Sequence, residues 1–215
     1  MKKIVIISGD YYHRKEWINA SLDQALTLLS ENEKVEYVDI HTDELLVELK
    51  NKPDAVILFK EDRVNPTEEK IDTWMTEEID EAITAYVQQG GGWLGWHSGL
   101  ASYAIDSNYS QMLKGYFEYH PNHHSQVKYT SVRGNDVFGP VSFEIKDEHY
   151  FVKVKEEETT IFLTSESEDG SSTAGWFHDF GKGRVCCLTP AHNKEGLLDD
   201  SFTQLLAKTI KWVSK

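Results

Sequence analysis

The sequence predicts an α/β fold, a doubly wound and mostly parallel sheet with helices on both faces. Three observations predict it. Strand-like and helix-like stretches alternate three times before residue 90. The first strand-like stretch, Lys3 to Ser8, is a continuous β-branched run, as in a parallel strand buried on both faces. A glycine-bounded turn, Gly95-Trp96-His97-Ser98-Gly99, then stands where such a sheet turns sharply from strand to helix.

The elements follow in order. After the first strand, Gly9-Asp10-Tyr11-Tyr12-His13 is a polar loop at a C-terminal strand end. Arg14 to Ser30 reads as a helix with Trp17, Leu22, Leu26 and Leu29 as its apolar stripe. Lys34 to Ile40 is a second strand. Thr42 to Leu49 is a short helix capped by Thr42, with Leu45, Leu46 and Leu49 inward. Asp54 to Phe59 is a third strand behind Pro53. Pro66-Thr67-Glu68-Glu69 opens a long helix whose stripe runs from Trp74 through Ile79, Ile83, Tyr86 and Val87 to a glycine stop at Gly90. Trp93 to Trp96 is a buried strand, and Leu100 to Ala104 opens another helix.

The second half changes character. A helix end lies in Ser110 to Phe117, followed by the histidine-rich loop Glu118 to His124. Short extended pieces follow at Gln126–Arg133, Val141–Ile145, Tyr150–Val154 and Thr160–Thr164. Thr173–Phe180 and Arg184–Thr189 flank Gly181-Lys182-Gly183, a hairpin signal. Asp199 to Val213 is the closing helix, with Phe202, Leu205, Leu206, Ile210 and Val213 as its stripe. No repeat or linker interrupts the chain, so residues 1–215 read as a single domain.

Composition bounds the function. The formal net charge is −14 and the pI is near 5.0, which argues against nucleic acid and anionic membrane, since both need a basic face. Neighbouring strand residues point to opposite faces, so the adjacent Cys186 and Cys187 are core thiols and not a structural disulfide. The apolar run at the N-terminus is too short for a signal peptide, and no run approaches a membrane span. A reduced, cytoplasmic protein is the expectation.

The turn at His97 has the spacing of a nucleophile elbow, G-x-nucleophile-x-G, with histidine in the central place. Histidine is a poor acyl nucleophile but a good general acid or base and a good metal ligand. A glycine-rich strand end with a hydrogen-bonded His97 is the plain structural alternative.

Five motifs occur in order: Gly90-Gly91-Gly92-Trp93-Leu94-Gly95-Trp96-His97-Ser98, Tyr119-His120-Pro121, Asp147-Glu148-His149-Tyr150, Gly181-Lys182-Gly183-Arg184-Val185 and Pro190-Ala191-His192. Together they resemble the ThuA-like family, named for trehalose utilisation, over almost the whole chain. The resemblance implies a flavodoxin-like, class I glutamine amidotransferase-like three-layer sandwich, with the antiparallel hairpin in its C-terminal half. Those amidotransferases carry a cysteine at the elbow and a histidine and glutamate late in the chain. Here His97 occupies the cysteine position, His192 lies near the late histidine, and the nearby acid, Glu195, is not two residues on. Hydrolysis of glutamine through an elbow thiolate is therefore not expected. One family element, His-Pro-Ile/Leu, is also replaced, by Val137-Phe138-Gly139-Pro140-Val141.

The resemblance implies a carbohydrate-utilisation protein acting on trehalose, a related disaccharide or a keto-sugar, by isomerisation, elimination or hydrolysis. His97, His192 and Glu148 are the candidate catalytic residues, and Asp10, His13, Trp96, Ser98 and His120 the candidate substrate-binding ones. Asp147 and Glu148 also fit surface acids, and His123 and His124 read as solvated. Trp93, Trp96, Trp176 and Tyr103 offer flat faces to a sugar, although strand aromatics usually belong to a core. His13, His97 and His192 leave different strands of one sheet and should meet at one rim, where they could hold a divalent ion such as zinc. Without a metal-motif spacing, metal-free acid/base chemistry is the preferred expectation. The partner is a small-molecule sugar, and a homodimer is left open. A non-catalytic sugar- or ligand-binding module is the alternative.

Overall fold

The computed structural model describes residues 1–30, 33–134 and 137–215. Its elements begin with β1 (Lys2–Ser8), α1 (Lys15–Thr27), β2 (Val35–Asp39), α2 (Leu45–Lys50), β3 (Ala55–Phe59), α3 (Glu77–Gln88) and β4 (Gly92–Trp96). They continue with α4 (Asn108–Leu113), β5 (Gly115–Tyr119), β6 (Ser125–Ser131), β7 (Ser142–Asp147) and β8 (Phe151–Val154). The chain closes with β9 (Thr160–Ser167), β10 (Gly170–Phe180), β11 (Gly183–Leu188), α5 (Lys194–Leu197) and α6 (Asp200–Val213).

Nine strands form one sheet in the order β2-β1-β3-β4-β11-β10-β9-β6-β7. The pairs from β2 to β11 are parallel. The hairpin of β10 and β11 starts an antiparallel wing that continues through β9 and β6 to β7. The expected parallel sheet is therefore present from β2 to β11, and the antiparallel part, with as many strand pairs, is larger than the single hairpin the turn residues announce.

Alternation along the parallel strands builds the three layers. Ile4 and Ile6 of β1, Ile57 and Phe59 of β3, and Leu94 and Trp96 of β4 pack with Ile18 and Leu22 of α1 and Phe202 and Leu206 of α6. The intervening Val5, Ile7, Val56, Leu58 and Trp93 pack on the other side with Leu45 of α2, Ile83 of α3 and Met112 of α4. Both faces are apolar because both are covered, which is why these strands read as continuous apolar runs. Cys186 and Cys187 point one into each layer, as free buried thiols.

Three local expectations are corrected. The Pro66-Thr67-Glu68-Glu69 start signal does not open α3. The Asn65 side chain accepts from Asp72 N–H at 2.6 Å and donates to the Lys70 carbonyl at 3.0 Å, tying that segment into a loop. Helix α3 starts after Thr76, whose hydroxyl accepts from Ile79 N–H at 3.3 Å, a cap worth about 1 kcal/mol. No α-helix begins at Leu100. A 3-10 turn, His97–Leu100, gives way to Ser102 at φ 69°, and α4 starts only after the Ser107 cap. The helix end read in Ser110 to Phe117 is present, as the end of α4 at Leu113, and β5 follows it and pairs with β8 in a separate two-stranded sheet. Thr42 does not cap the second helix either, because a 3-10 turn, Thr42–Glu44, precedes it and His41 is the capping residue.

The topology positions a site. Strands β2 and β3 flank β1 on opposite sides, so the crossover direction reverses there. In such sheets ligands bind beyond the carboxyl ends of the strands at the reversal. The loops after β1, β3, β4 and β11 all leave from that edge.

Candidate functional site

The elbow has the backbone its spacing implies. His97 sits at φ 48°, left-handed for a side chain that prefers negative φ, a conformation that costs about 1–3 kcal/mol and needs surrounding support. Gly99 supplies part of that support. A Cβ there would lie 2.0 Å from the Leu58 carbonyl oxygen, so only glycine lets the turn close against β3. The His97 ring is fully buried and stacks on Tyr150, with centroids 4.1 Å apart and planes 23° apart.

His97, His13 and His192 meet. His13 Nε2 lies 2.9 Å from His192 Nδ1, and His97 Nε2 lies 3.4 Å from the same nitrogen. Glu148 joins them: its Oε2 is 3.4 Å from His192 Nδ1 and 3.6 Å from His97 Nε2. One donor atom from each of the four residues falls within 4.8 Å of every other.

The far nitrogens of two rings are fixed. His97 Nδ1–H donates to the Thr189 carbonyl at 2.6 Å, which leaves the Nε2 lone pair of the neutral ring facing the cluster. His13 Nδ1 lies 2.6 Å from Asp10 Oδ1, with the same result at its Nε2. Asp10 is fully engaged, since it also accepts from the backbone N–H groups of Tyr12, His13 and Glu61. It is therefore not a free acceptor for substrate hydroxyls as the sequence suggests; it orients His13.

Glu148 arrives from the antiparallel wing. The preceding residue, Asp147, is no surface acid. It is fully buried, and its Oδ1 accepts from His192 N–H at 2.7 Å while Oδ2 accepts from the Tyr129 hydroxyl at 2.7 Å. Asp147 thus ties the end of β7 to the loop after β11 and brings Glu148 and His192 together. His149 faces away, buried between the Ser165 and Ser167 hydroxyls.

Electrostatics follow from burial and pairing. Complete burial disfavours the charged imidazole and moves the His97 pKa below its ordinary value. Burial also pulls on His192, but hydrogen bonding to Glu148 and the charge of that carboxylate outweigh it and leave its pKa raised. Burial would raise the Glu148 carboxyl, yet hydrogen bonds from His192 and His97 and the charge beside it hold it well below the usual range. Because burial keeps His97 neutral, the charge that matters for Glu148 is that of His192. Asp10 is likewise held low, by His13, against its own burial.

A cavity of about 270 Å³ opens beside this cluster. Its wall includes His13, Glu148, Ser98, His120, Glu61 and Tyr12. His120 Nδ1–H donates to the Pro121 carbonyl at 2.7 Å, and its Nε2 lies 3.3 Å from Glu148 Oε1. The Ser98 hydroxyl is buried and faces the Asp10 carboxylate, which it helps keep ionised, without a hydrogen bond of normal geometry. A larger cavity of about 660 Å³ lies at the opposite end of the sheet, between α2 and α3, far from the histidines.

Two expectations for site residues are corrected. Trp96 is fully buried, packed on Phe59 and Phe202, with its indole N–H bonded to the Pro190 carbonyl, so it is core and offers no face to a sugar. Trp93 and Trp176 are equally buried. His124 is not simply solvated, because it packs edge-on to His192 with centroids 5.0 Å apart. Tyr150 and Asp147 were legible as motif residues but not as site-builders, and Glu61 carried no sequence signal at all.

Comparison with known proteins places the chain. No curated protein matches its sequence. A ThuA-like protein from Parabacteroides merdae ATCC 43184 superposes with a TM-score of 0.74 at 16% identity, covering 100% of this chain and 90% of the other. A second from Bacteroides uniformis ATCC 8492 superposes with a TM-score of 0.66 at 17% identity, over 99% and 91% of the two chains. A cytoplasmic protein from Salmonella typhimurium LT2 gives a TM-score of 0.63 at 14% identity, over 99% and 100%. At these identities the superpositions show the fold. The family model described as "Trehalose utilisation" matches residues 3–213, from the first strand through the last turn of α6, and so the chain belongs to the ThuA family.

Proposed function

We propose that the chain is a divalent-metal protein of carbohydrate utilisation, with His13, His97, His192 and Glu148 as the metal donors and a sugar as substrate. One observation carries the metal: four donor atoms converge within 4.8 Å, and two of the rings are locked by second hydrogen bonds with their free lone pairs inward. Such outer bonds orient imidazole ligands in metal sites. Three nitrogens and one carboxylate oxygen suit zinc. Donors about 2.0–2.1 Å from one tetrahedral ion lie about 3.3–3.4 Å from each other. The separations of 2.9, 3.4, 3.4 and 3.6 Å in the cluster bracket that spacing.

A bound ion supplies Lewis acidity toward a sugar oxygen and makes a bound water more acidic. This reading moves the acid/base role away from His97, which is buried and would be a ligand. His120 takes that role. It lines the cavity, its ring is fixed through Nδ1, and its Nε2 faces Glu148 and the cavity. Trehalose-type or keto-sugar chemistry is supported by the family to which the chain belongs. Glutamine hydrolysis is not supported, because the elbow carries histidine and burial pushes the Cys186 and Cys187 thiols up, away from the thiolate. Two free buried thiols also fit a reducing, cytoplasmic location. Among the described residues, no helix is long and apolar enough to cross a membrane.

The test is turnover of trehalose and a panel of keto-disaccharides by zinc-loaded protein. Turnover should vanish on chelation, return with zinc, and fall by about 10²–10⁴-fold in His120→Gln, the usual range for a lost general acid or base. Turnover that survives chelation contradicts the metal role. Sugar binding without turnover would identify the binding module instead.

A further inference from the structure

Among the described residues the buried tyrosines are Tyr86, Tyr103, Tyr109, Tyr129 and Tyr150. A buried tyrosine normally bonds its hydroxyl. Four of these do. Tyr86 donates to the Pro53 carbonyl at 2.8 Å, Tyr103 to the Lys60 carbonyl at 2.5 Å, Tyr109 to the Gly99 carbonyl at 2.7 Å and Tyr129 to Asp147 Oδ2 at 2.7 Å. The Tyr150 hydroxyl has no hydrogen-bond partner among the described residues. Nor is it sealed off. The enclosed side-chain atoms without a partner belong to Asp39, Glu61, Ser98, Thr189 and Ser214, while Tyr150 lines the cavity beside the histidine cluster.

Neighbouring rings hold Tyr150 in place. Besides its stack on His97, it meets Phe117 with centroids 4.3 Å apart and lies within 14° of parallel to His120 at 6.1 Å. It therefore touches one donor of the cluster and stands beside the residue assigned the acid/base role. With the ring fixed, only the O–H rotor is free, so a ligand oxygen meets a preorganised donor. Electrostatics keep that donor protonated. Burial, reinforced by the charges of Glu148, Asp10 and Glu61, holds the phenol well above its ordinary value. The strongest of those charges is that of Glu148, itself a member of the cluster. The O–H needs an acceptor that the described protein does not supply, and an oxygen held at the cluster is the acceptor this site provides.

We infer, resting on the metal reading above, that Tyr150 is a further catalytic residue, whose hydroxyl donates a hydrogen bond to the substrate oxygen held at the four-donor cluster. The bond strengthens as negative charge develops on that oxygen, which is how an oxyanion donor acts. The proton stays on Tyr150, so the residue undergoes no covalent change.

The experiment compares zinc-loaded wild type with zinc-loaded Tyr150→Phe by calorimetric titration of acetohydroxamate and of imidazole. Acetohydroxamate is a small metal-binding anion whose oxygens accept hydrogen bonds. Zinc content and melting temperature are measured on the same samples. Wild type should bind acetohydroxamate, and Tyr150→Phe should bind it about tenfold or more weakly, the loss for a hydrogen bond to a charged group. Zinc content should be unchanged, because phenylalanine keeps the ring that stacks on His97. Melting temperature should be kept too, because the hydroxyl has no protein partner, whereas Tyr109→Phe, which loses its bond to the Gly99 carbonyl, should melt lower. A crystal of zinc-loaded wild type with acetohydroxamate gives a reading that needs no variant: Tyr150 Oη should lie about 2.5–3.0 Å from an oxygen of the probe. Equal acetohydroxamate affinity in the two proteins, or a Tyr150 hydroxyl bonded only to water in that crystal, would overturn the inference. An equal loss of affinity for imidazole, which offers no lone pair to a hydroxyl once bound, would overturn it as well. Wild type that holds zinc but does not bind acetohydroxamate overturns the inference and leaves the metal reading standing. Wild type that holds no zinc overturns both.

Discussion

Zinc affinity should fall by about 10–100-fold in Asp10→Asn, the usual cost of losing an outer-shell partner of a ligating histidine. His97→Ala, which removes a donor, should lose more, and equilibrium dialysis measures both. Affinity should also depend on pH with a definite sign. His97 is held neutral by burial, and Glu148 is held ionised, so both are ready to bind near neutrality. His192 has a raised pKa and must release its proton to bind. Affinity is therefore fully developed above the raised His192 pKa and declines as pH falls through it. The same proton stabilises the metal-free fold. That contribution is present below the unfolded histidine value of about 6.5 and is lost as pH rises through the folded one. The rise in melting temperature on adding zinc should thus be larger at pH 8 than at pH 6. A shift of the opposite trend would contradict the donor assignment.

Trp96→Ala should destabilise the fold by about 3–5 kcal/mol in urea denaturation, the range for emptying a buried aromatic site. Against a total stability of about 5–15 kcal/mol for a native domain, that is a large share. The reason is position: Trp96 is fully buried against Phe59 and Phe202, and its indole N–H holds the Pro190 carbonyl. Pro190 lies between Thr189, which orients His97, and His192 itself, so zinc affinity should fall as well. A substrate-binding Trp96 would behave otherwise, with stability kept and sugar affinity lost. That outcome would restore the sequence expectation that the packing corrects.

The parallel half of the fold was legible because its code is local. β1 from Ile4 to Ile7 and the whole of β3 are apolar since both faces are covered, and the hairpin of β10 and β11 is announced by Gly181-Lys182-Gly183. Convergence of His13, His97 and His192 followed from the same pattern, since parallel strands deliver their exits to one rim. Long-range and side-chain-determined features were not legible. Asp147 reads as a surface acid until Tyr129 and His192, distant in sequence, bury it. The start of α3 is displaced by bonds from one side chain, Asn65, that override a good local start signal. Glu61 lies in a run of charged residues that reads as solvent-facing, and only the fold of the Ser102 segment over it makes it a buried carboxylate. The preference for metal-free chemistry rested on the lack of a motif spacing. Donor groups drawn from four separate loops have no spacing to show, so their convergence is visible only in the fold.

The most direct measurement is anomalous diffraction from a crystal of untagged protein grown with zinc. The account predicts one peak per chain, about 2.0–2.1 Å from His13 Nε2, His97 Nε2 and His192 Nδ1 and at bonding distance from Glu148. A crystal with no peak among these residues, or with zinc confined to the exposed His123, Glu168 and Asp169 group, would contradict it.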